Sequence, residues 1–152
     1  MHIRVLQPGD VAQLREMTAL FGRAFDDPEH YDHHKPTTEY LAELLRNPMF
    51  VAISASDGGR VVGGLASYIL PKFEQARSEL YIYDLAVDEA FRRRGVATRL
   101  IEAARVVARE RGAWVLYVQA DPDDEPAVAL YTKLGTREDV LHFDIPPVAP
   151  AD

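Results

Sequence analysis

Between Glu79 and Gln119 the chain reads strand, helix, strand, and this order constrains the fold more than any other feature. ELYIYDLAV (79–87) and WVLYVQ (114–119) are apolar runs of strand length, and Gly95 to Arg111 between them has helical periodicity. The apolar stripe of that helix is Val96, Leu100, Ile101, Ala104, Val107 and Ala108; Arg99, Glu102, Arg105 and Arg109 lie outside it. Two strands joined through one helix are expected to lie parallel and adjacent, because the crossover packs its helix back onto the sheet. WVLYVQ is almost wholly apolar, the pattern of a strand buried on both faces.

The flanking segments extend this unit into a mixed sheet. HIRVL (2–6) reads as a short strand, and Pro8 opens a helix to about Phe25 on the spacing of Leu14, Met17, Leu20, Phe21 and Phe25. Asp26 to Pro36 is a polar loop, and Thr38 can cap a second helix through Leu45. MFVAISAS (49–56) and RVVGGLASYIL (60–70) flank Asp57-Gly58-Gly59, a hairpin signal, and Gly63-Gly64 marks a bulge or a close backbone approach. Pro126 starts a helix to Leu134, and Arg137 to Ile145 is read as one bent strand or two short ones. The expected class is α/β of the mixed α+β kind, with six to seven strands in one central sheet and helices on its faces. With no internal repeat and no linker, residues 1–152 are read as one domain.

Composition narrows the function. A net charge of −7 disfavours nucleic-acid backbones and suits cationic partners. The absence of cysteine excludes disulfides and thiolate metal sites. No apolar run approaches the roughly 20 residues of a membrane span, and MHIRVLQPGDV has no basic stretch followed by an apolar core. The expectation is a cytoplasmic protein with no membrane or nucleic-acid partner.

The chemistry concentrates at the junction Asp88-Glu89-Ala90-Phe91-Arg92-Arg93-Arg94-Gly95-Val96-Ala97-Thr98. A strand ends, a basic turn follows, and a glycine opens an amphipathic helix. The first N–H groups of a helix lack internal partners and carry partial positive charge, which makes an anion site suited to a phosphate or pyrophosphate. The spacing is neither that of a Walker loop nor that of the dinucleotide glycine fingerprint.

Arg92-x-x-Gly95-x-Ala97 after an LAV strand end resembles the pyrophosphate motif Q/R-x-x-G-x-G/A of the GNAT superfamily of N-acetyltransferases. AVALYTKLG (127–135) resembles that superfamily's later helix, with a tyrosine three residues before a Leu-Gly turn. The runs YILPKFEQARSELYIYDLAV (68–87), YVQADPDDEPAVALYTKLG (117–135) and LHFDI (141–145) are similar to the type I aminoglycoside 3-N-acetyltransferases, the gentamicin acetyltransferases. The resemblance implies a GNAT fold with a splayed parallel strand pair, acetyl-CoA as cosubstrate, no metal, and an aminoglycoside acceptor acetylated at the 3-amino group of deoxystreptamine. Family members are often dimers, which implies a homodimer here.

Residue by residue, the resemblance implies that Leu85, Ala86 and Val87 offer backbone groups to pantetheine. It places pyrophosphate on the amides of Arg93, Arg94, Gly95, Val96, Ala97 and Thr98, with Arg92 opening the motif. Tyr131 matches the family's general acid, and a phenol of ordinary pKa near ~10 is protonated at neutral pH. The base is open. Many members carry a glutamate where this chain has Tyr83, followed by Asp84. Alternation places Glu79, Tyr81 and Tyr83 on one face and Asp84 on the other, unless a bulge flips the parity. Asp84 and Glu79 are therefore joint candidates, and Tyr83 is assigned to the substrate side. The family's asparagine seven residues before the tyrosine is Asp124 here.

Asp124 belongs to a cluster with Asp121, Asp123 and Glu125 at the end of an apolar strand, with Asp144 further on. Such a cluster caps the next helix or attracts a polycation, and the second reading assigns these residues to substrate binding. The loop residues Asp26, Asp27, His30, Asp32, His33 and His34 lack the fixed frame of a zinc site. Two alternatives remain: an acetyltransferase for polyamines or for protein or peptide amines, and a non-catalytic acyl-CoA-binding module.

Overall fold

The computed structural model describes residues 1–148, except the side chain of Asp32. The chain divides into two compact units, the first Met1–Gln119 and the second starting at Ala120. The first unit holds β1 (His2–Val5), α1 (Val11–Ala24), a π-helical turn (Glu29–His33), α2 (Thr38–Arg46), β2 (Phe50–Asp57), β3 (Arg60–Pro71), β4 (Ser78–Val87), a 3₁₀ turn (Glu89–Phe91), α3 (Val96–Glu110) and β5 (Ala113–Val118). The second holds α4 (Glu125–Leu134). Among the described residues no helix is long and apolar enough to cross a membrane.

The sheet has five strands among the described residues, in the order β1-β2-β3-β4-β5. All neighbours are antiparallel except β4 and β5, which are parallel as the crossover requires. The β2–β3 hairpin turns on Gly58 and Gly59, both at positive φ (56° and 81°), the signature of a tight turn matched to strand twist. α2 is capped by Thr37, whose hydroxyl accepts from the Tyr40 amide at 3.2 Å, one residue earlier than Thr38.

Two adjacent glycines set the layers. Successive residues of a strand face opposite sides. A Cβ on Gly63 would stand 3.0 Å from Val96 Cγ1 and 3.3 Å from Leu100 Cδ1, so that side faces α3. A Cβ on Gly64 would stand 2.9 Å from Met17 Cε and 3.2 Å from Phe21 Cζ, so the other side faces α1. The close approach expected at Gly63-Gly64 is thus present on both faces. α1 buries Leu14, Met17, Leu20 and Phe21, α2 adds Leu41, and α3 buries Val96, Leu100, Ile101 and Ala104. Each such large apolar side chain contributes about 1.5–3 kcal/mol when fully buried.

Two expectations are corrected. The sheet does not reach six or seven strands, because residues 136–148 form neither strand nor helix. LHFDI alternates as a strand does, but alternation assigns faces and supplies no neighbouring ladder. β5 is also not buried on both faces: Trp114 and Tyr117 are exposed and Val115, Leu116 and Val118 half-buried. It is the edge of the sheet, so its apolar composition reflects a different demand from that of an internal strand.

Gly63→Val tests the packing of α3 on the sheet. The added atoms meet Val96, Leu100 and, at 3.4 Å, Ala55. We expect a loss of about 1–3 kcal/mol in denaturant unfolding, with full-length secondary structure retained. Unchanged stability would mean that α3 is not seated this closely.

Candidate active site

The parallel pair β4–β5 parts partway along. β5 follows β4 from Ser78↔Ala113 to Ile82↔Val118 and stops, whereas β4 stays paired with β3 to Gly63↔Val87. Among the described residues the β5-facing edge of β4 therefore has no strand partner from Tyr83 to Val87. The edge includes Leu85, Ala86 and Val87, whose backbone groups are the ones assigned to pantetheine.

At the same point β4 has a bulge. Ser67 pairs with Ile82 and Ala66 with Asp84, so Tyr83 is the extra residue. The bulge turns Asp84 toward the α1 side, the parity change that strict alternation forbids. There the Tyr31 hydroxyl donates to Asp84 Oδ1 at 2.8 Å. Burial raises the pKa of Asp84 and this hydrogen bond lowers it, burial being the larger effect.

Asp84 lies in an aromatic row crossing four strands. Phe50 and Tyr68 stand 5.5 Å apart, Tyr68 and Tyr83 6.0 Å, Tyr81 and Tyr83 5.6 Å, and Tyr81 stacks on Tyr117 at 4.7 Å. Tyr81 also donates its hydroxyl to Gln119 Oε1 at 3.0 Å. Tyr68, Tyr83 and Tyr117 remain exposed, so the row is a surface rather than a core. Burial and then the Asp84 charge raise the pKa of Tyr68, and burial followed by neighbouring phenols and Asp84 raises that of Tyr81. Tyr68 and Tyr81 therefore stay neutral at neutral pH. Tyr31, Tyr68, Tyr81 and Tyr117 escaped the sequence reading. The β-strand positions of the last three are legible, but their convergence depends on register across strands.

Glu79 lies elsewhere on β4. It accepts from Trp114 Nε1 at 3.3 Å and sits 3.9 Å from Lys72 Nζ, while Arg77 lies over the Trp114 ring at 4.2 Å. It is engaged in a local network away from the bulge.

The turn after β4 leads into α3. Asp88 caps the 3₁₀ turn by accepting from Ala90 N at 3.1 Å. Arg93 and Gly95 then take positive φ (60° and 74°), and Gly95 is the residue before α3. A side chain at Gly95 would be strained, and the space beside it is open. Among the described residues no side chain caps α3, in contrast to α2 and α4. Its first amides thus have no side-chain acceptor, and beside them Arg92, Arg93 and Arg94 are exposed, a donor set that fits a pyrophosphate. Arg92 Nε reaches Val87 O at 3.4 Å and Arg94 lies 5.1 Å over the Phe91 ring, so both can serve the turn before a ligand arrives.

The second unit contributes α4. Asp124 caps it through the Ala127 amide at 3.2 Å, so the capping role of that residue is realised. Tyr131 is half-buried, and burial, then the Asp124 charge, push its pKa up to about 12. Its hydroxyl therefore stays protonated through neutral pH, as a proton donor must. Asp121 and Asp123 are exposed in the turn before α4 and Glu125 is exposed at its first position, and Asp144 Oδ1 lies 2.9 Å from His142 Nε2. Among the described residues no three His, Asp or Glu groups are disposed to hold a metal ion.

A parted parallel pair, a bare helix N-terminus after it and a carboxylate at the bulge are the features that bear on the class of the protein. Residues 14–136 match the acetyltransferase (GNAT) family. The chain belongs to that family and is an acetyl-CoA-dependent N-acetyltransferase. It is 52% identical to an aminoglycoside acetyltransferase from an uncultured soil metagenomic sample, with a TM-score of 0.94 covering 97% of this chain and 98% of the other. A second soil metagenomic aminoglycoside acetyltransferase, solved in complex with sisomicin, is 30% identical with a TM-score of 0.88 over 96% and 95% of the chains. An N-alpha-acetyltransferase of Sulfurisphaera tokodaii is 30% identical over 122 residues, 73% of this chain and 68% of that protein.

Asp84→Asn has a stability consequence of definite sign. Because the folded pKa is raised, the native state holds this proton more tightly than the unfolded chain. That contribution is present at acid pH and is lost as pH rises from the ordinary carboxylate range through the raised value. We expect Asp84→Asn to be as stable as wild type or more so near pH 8, by denaturant midpoint, with the difference vanishing at about pH 3. A variant clearly less stable near pH 8 would mean that the ionised carboxylate holds the fold together.

Proposed function

We propose that the protein transfers acetyl from acetyl-CoA to an amine of an aminoglycoside of the gentamicin type, at the 3-amino group of deoxystreptamine. The observation that carries this reading is the likeness to an aminoglycoside acetyltransferase along nearly the whole chain, at 52% identity. The exposed aromatic row around one carboxylate supports it, because aromatic faces and carboxylates together suit an amino sugar bearing several ammonium groups. Tyr83 belongs to that surface, and Asp121, Asp123, Asp124, Glu125 and Asp144 add negative charge for a polycation. Acetylation converts an ammonium into a neutral amide. The drug thereby loses a charge and a donor for ribosomal RNA, so the expected outcome is antibiotic resistance.

Acetyl-CoA brings an activated thioester. In the proposed roles, the amides of Arg93 to Thr98 hold its pyrophosphate and the free edge at Leu85, Ala86 and Val87 aligns its pantetheine. Asp84, rather than the engaged Glu79, accepts the amine proton, so the nitrogen lone pair is free to form the new N–C bond. Tyr131 gives its proton to the departing sulfur as the C–S bond breaks.

A second reading, a peptide or protein amine as acceptor, is favoured by the 30% identity to an N-alpha-acetyltransferase. Thiol release from acetyl-CoA with gentamicin, sisomicin, spermidine and a basic peptide separates the two. We expect kcat/KM for gentamicin or sisomicin to exceed that for spermidine and peptide; the reverse order replaces the acceptor and keeps the family. We further expect Tyr131→Phe to bind acetyl-CoA normally while kcat falls by about a hundredfold or more, the usual size of an acid–base contribution. An unchanged kcat would remove Tyr131 from the chemistry.

A further inference from the structure

Residues 26–36 read as a polar loop in which the histidines stand out, yet the side chain that the fold directs inward is Tyr31. α1 ends where Asp26 takes positive φ (52°), and the chain reverses onto the helix it has just left. The Asp27 amide donates to Gly22 O at 3.0 Å, and Tyr31 N reaches Asp27 O at 3.4 Å. Asp27 also accepts from the His30 amide at 3.2 Å and lies 3.0 Å from His30 Nδ1. Gly22 permits the approach: a Cβ there would stand 3.1 Å from Tyr31 Cβ. The Tyr31 ring packs edge-on to Phe21 at 6.1 Å and tilted to Phe25 at 5.6 Å. This clamp delivers the hydroxyl to Asp84 Oδ1 across 53 residues of sequence.

We propose that Tyr31 is the positioning residue for the base. Its hydroxyl fixes Asp84 Oδ1, which leaves Oδ2 for the acceptor amine and keeps the carboxylate ionised in its aromatic surroundings. The inference rests on the assignment of Asp84 as base. Among the described residues Oδ2 accepts no hydrogen bond. A base must be ionised at the working pH and still hold a proton well. Burial alone moves Asp84 toward the neutral acid, and the Tyr31 hydroxyl opposes this by bonding to the ionised form. A phenol does so without the full charge of an arginine or lysine, which would repel a cationic acceptor. The other titratable groups nearby are Tyr68 of β3, Tyr81 and Tyr83 of β4, and Asp27 behind Tyr31. Burial holds the phenol of Tyr31 well above the usual tyrosine range, with Asp84 and Asp27 adding to the effect, so it remains a donor wherever the carboxylate titrates.

Tyr31→Phe keeps the ring and its packing and removes only the hydroxyl. The primary measurement is the ¹³C titration of the Asp84 carboxyl in the full chain, assigned by its loss in Asp84→Asn. We expect the inflection to move to higher pH in Tyr31→Phe while the denaturant midpoint changes little; an unmoved inflection overturns the proposal whatever the acceptor is. In turnover with acetyl-CoA and sisomicin, the acid limb of kcat/KM should move the same way. Near neutral pH kcat should fall by about tenfold with the KM for acetyl-CoA unchanged. If Asp84→Asn keeps the wild-type acid limb, the base assignment fails and the positioning role with it. If Asp84→Asn loses that limb while Tyr31→Phe matches wild type in both profiles, the base stands and only Tyr31 is withdrawn.

Discussion

The parting of β4 from β5 after Ile82 is the constraint on which the site depends. A strand in the interior of a sheet normally satisfies both of its edges, and unpaired backbone groups there cost free energy unless water or a ligand meets them. β4 is held by β3 along its full length, so it cannot follow β5 away. The bulge at Tyr83 falls where the ladder ends and adds a residue and extra twist to the strand. Three consequences come from this one irregularity. An edge of backbone is left without a strand partner among the described residues, Asp84 is rotated onto the α1 side, and Tyr83 is left as the extra residue of the bulge. The groups assigned to the cosubstrate and to the base are therefore set by local backbone geometry, with few side chains needed to define them.

The two faces of the sheet divide the work. Gly63 lets α3 settle closely on one face, which fixes the helix whose first amides are assigned to the pyrophosphate. Gly64 lets α1 settle on the other, where the same helix presents Phe21 and Gly22 to the turn bearing Tyr31. A residue larger than glycine at either position would displace a functional element along with a packing element. Neighbouring glycines in a strand, which by propensity weaken it, are here the condition for both halves of the site.

Much of this is legible in the amino-acid sequence. The parallel pair follows from the order of periodicities and the hairpin from Gly58-Gly59, and the uncapped start of α3 follows from the glycine after a basic turn. Register was less accessible. Alternation alone separates Asp84 from Tyr81 and Tyr83, and only the bulge reunites them, a one-residue event with no clear signature in SELYIYDLAV. Tyr31 was hidden for a different reason. It lies in a segment with no apolar period, and its partner is far away in sequence, so nothing local distinguishes it from the histidines around it. LHFDI erred in the opposite direction: its alternation is that of a strand, but a strand exists only with a neighbour to pair with.

The distribution of charge separates attraction from recognition. Asp121, Asp123, Asp124 and Glu125 are exposed, and carboxylates in water act on a distant cation only within a Debye length of about 8–10 Å. They can raise the local concentration of a polycation but discriminate poorly between one amine and another. At the bulge the arrangement is inverted, with a single carboxylate among phenols that stay neutral. Aromatic faces attract ammonium groups without adding negative charge that would tighten every cation equally. A lone, partly desolvated carboxylate also retains more proton affinity than an exposed one, and this is what the removal of a proton from an ammonium demands. Under the proposed function, selectivity among amines would then depend on how an acceptor lies across Tyr68, Tyr81, Tyr83 and Tyr117. On the same proposal, these side chains lie apart from the β4 backbone edge and the first amides of α3, so the acceptor surface could vary without altering the groups assigned to acetyl-CoA.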